Sequence, residues 1–143
     1  MQMKMSRNIR IILCVLASAV LQMFFCQSVT AQIKRSSDSF VPIAKYISRG
    51  DARSLSSWFA KNLEINILGK VNDCSKRQAT QIVRNFFTTY KVKSFTIIHK
   101  SGVAPMKYAI GILNAGGQSF RVTLFVRTNE DGNYIQQFTI ERE

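Results

Sequence analysis

Apolar positions along residues 40–141 change period several times, and each change marks an element. Phe40, Ile43, Ala44 and Ile47 recur at i, i+3, i+4 and i+7, the spacing of a helix with one buried face. Pro42 falls in its first turn, where a missing N–H is tolerated, and Gly50 is placed to end it. Asp51 then caps a second short helix, in which Leu55, Trp58 and Phe59 share a face. Over 63–68 the period drops to two. Leu63, Ile65 and Ile67 alternate with Glu64 and Asn66, predicting a half-buried strand that Gly69 and Asn72-Asp73 interrupt. Ser75 and Gln78 form a capping-box pair that opens the strongest helix, with Ala79, Ile82, Val83, Phe86, Phe87 and Tyr90 on one stripe. Four strands follow, at 95–101, 108–114, 120–128 and 134–141, the last three a meander through Ala115-Gly116-Gly117 and Asp131-Gly132. Helices of this kind bury their stripes against one face of an antiparallel sheet, so the order predicts a two-layer α+β fold.

The residues before this domain read as an address. Lys4, Arg7 and Arg10 make a basic start, an apolar run follows from Ile11 to Phe25, and Val29-Thr30-Ala31 offers small residues for a cleavage site. That is the layout of a secretory signal peptide over 1–31, cleaved to leave Gln32 first. A spanning helix needs about 20 apolar residues, more than this run supplies, so no stable membrane anchor is expected after cleavage. A lipidated Cys26 is disfavoured because the bulky Phe24-Phe25 precedes it. Residues 32–39 are polar and read as a flexible lead-in to a single domain at 40–143. The expected location is the periplasm or the extracellular space.

Charge and cysteine use follow from that location. The chain carries a formal net charge of +12, three units of it in the leader. In a cytosolic protein this would raise nucleic acid as a partner. The bases are scattered without interleaved stacking aromatics, and an exported protein meets little nucleic acid, so none is expected. A solvated basic surface is the simpler reading, with an anionic envelope surface or acidic polymer as the alternative. Cys14 and Cys26 leave with the leader, so Cys74 has no disulfide partner and reads as a thiol tucked before a helix. One cysteine and the single histidine, His99, cannot supply a zinc site's usual ligands, and no metal or cofactor is expected.

Certain stretches resemble a known family. Ser75-Lys76-Arg77-Gln78-Ala79 leading into Phe86-Phe87, the run from Lys93 to Gly102, Tyr108-Ala109-Ile110-Gly111-Ile112-Leu113 and Phe120-Arg121-Val122 are similar to secreted bacterial proteins grouped as domain of unknown function 4783. The likeness covers about 41–141. It implies a nuclear transport factor 2-like (cystatin-like) cone: a curved antiparallel sheet wrapped around one long helix, with two shorter N-terminal helices and an apolar pocket at the open end. That superfamily holds isomerases and many non-catalytic binding modules, so the fold implies no activity by itself.

A pocket isomerase needs a carboxylate base inside the cone and donors for a developing oxyanion. The acids of the domain fall at caps, turns and the terminus. Glu64 alone lies within a strand, on the face opposite Leu63, Ile65 and Ile67. No catalytic residue is therefore assigned, and an isomerase or dehydratase-type enzyme is the least favoured reading. Trp58, Tyr90, His99 and Tyr108 are the candidates for lining a pocket that holds a small apolar ligand. Strict alternation puts Leu63, Ile65, Ile67, Phe95, Ile97, Tyr108, Ile110, Ile112, Phe120, Val122, Leu124, Val126, Phe138 and Ile140 inward. It places Ile98, Lys100, Leu113, Arg121, Thr123, Phe125, Arg127 and Ile135 on the outer face. Of these, Ile98, Lys100, Leu113, Arg121, Phe125, Arg127 and Ile135 are the interface candidates, an apolar centre with a basic rim. The reading is a non-catalytic binding domain that uses its outer sheet face, toward a second copy of itself or an envelope protein.

Overall fold

The computed structural model describes Asn8 and residues 38–143. The predicted leader, Asn8 apart, and positions 32–37 lie outside the described residues. Asp38 and Ser39, the end of the expected lead-in, immediately precede the first helix, with Ser39 at its N-cap. Asp38 Oδ1 accepts from the Phe40 N–H at 3.1 Å, and Ser39 is buried.

Helix α1 (Phe40–Ser48) buries Phe40, Ile43 and Ile47, the predicted stripe. Pro42 sits among the first four residues, whose N–H groups have no intrahelical partner. Gly50, at φ +64°, accepts the left-handed turn that stops it. Helix α2 (Ala52–Leu55) is capped by Asp51, whose carboxylate accepts from the Ser54 N–H, and runs into a 3-10 turn (Ser56–Trp58). Phe59 does not extend that helical face. It begins strand β1 (Phe59–Ile67), where its ring meets Phe138 edge-on at 6.3 Å.

Residues 70–75 are the first departure from the pattern. A two-residue turn, Leu68 at φ 52° and Gly69 at φ 85°, sends the chain back as strand β2 (Lys70–Ser75), paired antiparallel with β1. Two positive φ values are what a tight hairpin with right-handed strand twist requires. β2 is a sheet edge and mostly exposed, so no apolar alternation announces it.

Helix α3 (Lys76–Thr89) opens with the predicted capping box. Gln78 N donates to Ser75 Oγ at 3.3 Å and Ser75 N donates to Gln78 Oε1 at 3.0 Å. Ala79, Val83, Phe86 and Phe87 are buried on its inner face. Strands β3 (Val92–Val103), β4 (Met106–Ala115), β5 (Gln118–Asn129) and β6 (Gly132–Arg142) follow as an antiparallel meander.

The sheet has six strands in the order β2-β1-β6-β5-β4-β3, and β1 runs parallel to β6. This corrects the expected wrapped antiparallel cone. The sheet is mixed and open, with β2 and β3 as its edge strands among the described residues, and it does not curl around the long helix. The α+β class stands, with three α-helices among the described residues. The physical reason lies in how the helices share the work: α1 packs over β3 at one edge while α3 packs over β1 and β2 at the other. These two helices, bridged by the short α2, cover the span that a single helix could cover only if the sheet closed around it. Their buried faces join the sheet's inner residues in one continuous core, which includes Leu63, Ile65, Phe120, Val122, Leu124, Val126, Phe138 and Ile140.

Candidate functional site

Among the described residues, no helix packs on the outer face of the sheet. What stands on it depends on three local deviations from strict alternation. In β4 the phase is the reverse of that expected. Ala109, Leu113 and Ala115 are buried toward the helices with Gly111, while Tyr108, Ile110 and Ile112 point outward and are half-buried. The Phe95 ring crosses directly over Gly111, where an added Cβ would lie 2.4 Å from Phe95 Cζ and 2.9 Å from the Thr96 carbonyl oxygen. Only small residues fit beneath that ring, so the bulky members of the strand turn away.

A bulge in β3 comes next. Ile97 pairs with Gly111 but His99 pairs with Ile110, so Ile98 is an extra residue. An extra residue flips the alternation beyond it. His99 therefore stands outward beside Tyr108, with Nε2 at 3.4 Å from the tyrosine oxygen, rather than inward with Phe95. Lys100 swings to the helix side, where it forms an ion pair with Asp38 at the start of α1. That carboxyl is held below the usual range, chiefly by the Lys100 hydrogen bond.

A second bulge lies in β6. Val126 pairs with Ile135 and Phe125 with Gln137, leaving Gln136 as the extra residue. Ile135 is consequently fully buried.

The interface candidates thus divide. Arg121, Phe125 and Arg127 are on the outer face as expected, and Ile98 is exposed at the bulge. Leu113 and Ile135 are core, and Lys100 faces the helices. The residues missed are Tyr108, Ile110 and Ile112. Their signal was the Ala109-Gly111 spacing, small residues two apart beneath an aromatic of the neighbouring strand.

The four pocket candidates do not converge. Trp58 packs half-buried against the core from the 3-10 turn. Tyr90 stacks on Phe86 at 4.9 Å and Phe120 at 5.1 Å, and its hydroxyl accepts from Arg142 Nη2 at 3.2 Å. His99 and Tyr108 are on the other side of the sheet. Tyr90 alone borders an apolar recess, an open groove of about 410 Å³ between α3 and the β1–β2 hairpin, floored by Ile67, Leu68, Ile82 and Phe86.

On the outer face, Tyr108 and Phe125 are direct cross-strand partners with ring centroids 5.6 Å apart. Ile110 and Ile112 continue the row opposite Thr123 and Arg121, and Thr123 faces Thr139 on the next strand. Arg121 lies 3.6 Å from a Glu143 oxygen at one end. Glu64, the only strand carboxylate considered as a base, is on this face and accepts from Gln137 Nε2 at 2.6 Å. No group of three or more His, Cys, Asp or Glu side chains among the described residues could hold a metal ion.

Residues 40–141 match the family described as Domain of unknown function (DUF4783). The chain belongs to that family. A DUF4783 protein of known crystal structure from Bacteroides uniformis ATCC 8492 is 25% identical, with a TM-score of 0.69 over 72% of this chain and 95% of its own. One from Bacteroides ovatus ATCC 8483 is 24% identical, with a TM-score of 0.69 over 71% and 93%. A protein from Streptomyces avermitilis described as a putative dehydratase of the NTF2-like family shares the fold at 16% identity, with a TM-score of 0.58 over 73% and 90%. The DUF4783 domain is thus similar to NTF2-like and cystatin-like proteins in architecture. No curated protein matches the chain.

Proposed function

We propose that this DUF4783 protein is an exported, non-catalytic interaction domain that self-associates through the outer face of its sheet. The observation that carries the reading is the row Tyr108, Ile110, Ile112 and Phe125, four large side chains on two adjacent strands with no layer packed over them among the described residues. Half-exposed apolar area of this kind is costly to leave in water, and a rimmed patch marks an interaction surface. Arg121 and Arg127 flank Phe125 along β5, Glu141 lies across from Arg121 on β6, and Glu64 lies across from Gln137 on β1. A face holding both signs can pair with a rotated copy of itself, base against acid, as a two-fold interface demands.

The non-catalytic part rests on the placement of the acid/base candidates. Glu64 is tied to Gln137, and His99 is exposed with Tyr108 as its hydrogen-bonding neighbour. A second reading, a small apolar ligand, is favoured by the groove at Tyr90, whose floor is apolar.

Phe125→Asp tests the first reading, because it puts a charge in the middle of the row without touching the core. Sedimentation equilibrium of the wild type should show a dimer that the variant converts to monomer at unchanged circular dichroism. A monomeric wild type, or a variant that dimerises equally, removes the outer-face reading. The mass of the exported wild type should begin at Gln32, and a mass that retains residues 1–31 removes cleavage.

A further inference from the structure

The helix layer carries a charge distribution that neither the core nor the outer face accounts for. The segments of α1, α2, the 3-10 turn and α3 contain Lys45, Arg53, Lys76, Arg77 and Arg84 and not one acid. Exposed helices ordinarily intersperse both signs, because pairs three or four residues apart stabilise the helix. On α3 the cations are also concentrated: Lys76, Thr80 and Arg84 fall at i, i+4 and i+8, with Arg77 and Gln81 beside them. Lys76 and Arg77 occupy the first turn, where the helix dipole disfavours positive charge. The placement costs stability.

These side chains also share a concavity. A cleft of about 560 Å³ between α3 and the 3-10 turn is lined by Ser56, Lys76, Arg77, Thr80, Gln81 and Arg84. The ion pairs among the described residues are Lys100–Asp38 and Arg121–Glu143, so none of the three cations is neutralised by a neighbouring carboxylate.

We propose that this cleft binds a phosphate-bearing group carrying several negative charges, independently of the outer sheet face. Three cations would match a polyphosphate or a phosphorylated headgroup. Two arginines present planar donor forks suited to phosphate oxygens, and a lysine adds a point charge. Among the polar side chains between them, the Thr80 and Ser56 hydroxyls already donate to the Lys76 and Arg53 carbonyls, while Gln81 Nε2 donates one hydrogen to Asn85 and keeps a second for a ligand oxygen.

The protein as the cell produces it is titrated with sodium tripolyphosphate by calorimetry and with vesicles containing an anionic phospholipid by co-sedimentation. The double variant R77E/R84E is compared with wild type and with K45E/K93E, an equal charge change outside the cleft. Circular dichroism confirms that each is folded. The expected result is binding that weakens at least tenfold in R77E/R84E and much less in K45E/K93E. Tripolyphosphate binding alone identifies a free polyphosphate as the source, and vesicle binding, with or without it, identifies a lipid headgroup. Binding of neither probe, or equal loss in both variants, overturns the proposal.

Discussion

Gly111→Ala is the sharpest test of the arrangement, because the two phases of β4 predict opposite signs. If Gly111 faced water, alanine would replace a flexible residue inside a strand and stabilise the domain by roughly 0.5–1 kcal/mol. In the structure Gly111 faces the helices beneath the Phe95 ring. The added methyl carbon would meet Phe95 Cζ at 2.4 Å and Cε2 at 2.5 Å, with the Thr96 backbone oxygen at 2.9 Å. These distances are far inside van der Waals contact. The ring cannot simply rotate away, since Phe95 is itself buried and the backbone oxygen belongs to a paired strand. Overpacking of this kind costs about 1–3 kcal/mol. For a domain of this size each kcal/mol moves the melting temperature by about 4–8 °C. Thermal and urea unfolding should therefore show Gly111→Ala less stable than wild type, with the loss partly recovered when Phe95→Leu is added. The recovery would appear as a coupling between the two sites that independent positions lack. A variant as stable as wild type, or more so, would place Gly111 outward and with it dissolve the row at Tyr108, Ile110 and Ile112.

Phe86→Ala should cost roughly 3–5 kcal/mol in urea unfolding, since its ring touches Phe87, Tyr90 and Phe120 at centroid distances of 6.1, 4.9 and 5.3 Å; an unchanged midpoint would contradict that packing. Cys74 should alkylate slowly at neutral pH and faster as pH rises, because burial first, and Asp73 second, push its thiol above the ordinary 9.0; fast labelling of folded protein at pH 7 would refute this. Asp38 and Asp51 are both held below the ordinary 3.8, the first mainly by the Lys100 hydrogen bond and the second mainly by Ser54. The folded state therefore binds their protons less readily than the unfolded state, so their contribution is full above about pH 5 and disappears as pH falls through the lowered values. Asp51→Ala should remove about 1 kcal/mol at pH 7 and much less at pH 2, read from unfolding midpoints at the two pH values.

How far the sequence could be read depended on whether the information was local. The capping box at Ser75 and Gln78, the stripe from Ala79 to Phe87 and the hairpin turns of the meander are set by residues within a few positions of one another. Their periodicity and cap chemistry determined three helices, five of the six strands and the α+β class. The family likeness was legible for the same reason, in runs such as Lys93 to Gly102.

Tertiary structure decided the rest. β2 is an edge strand whose two faces are largely exposed, so it has no apolar period to announce it. The parallel pairing of β1 with β6 joins segments from opposite ends of the domain, and nothing local encodes it. Above all, the membership of the outer face turned on single-residue events. The bulges at Ile98 and Gln136 moved His99 outward and sent Lys100 and Ile135 toward the helices. In β4 both alternating sets are apolar, Tyr108, Ile110 and Ile112 against Ala109, Gly111 and Leu113, so hydropathy has no preference between them. Packing does: the approach of Phe95 leaves room only for the small set, and the large set is left facing outward. A period-two pattern specifies that a strand has two faces, but which face meets the helices is settled by the volume available on each side.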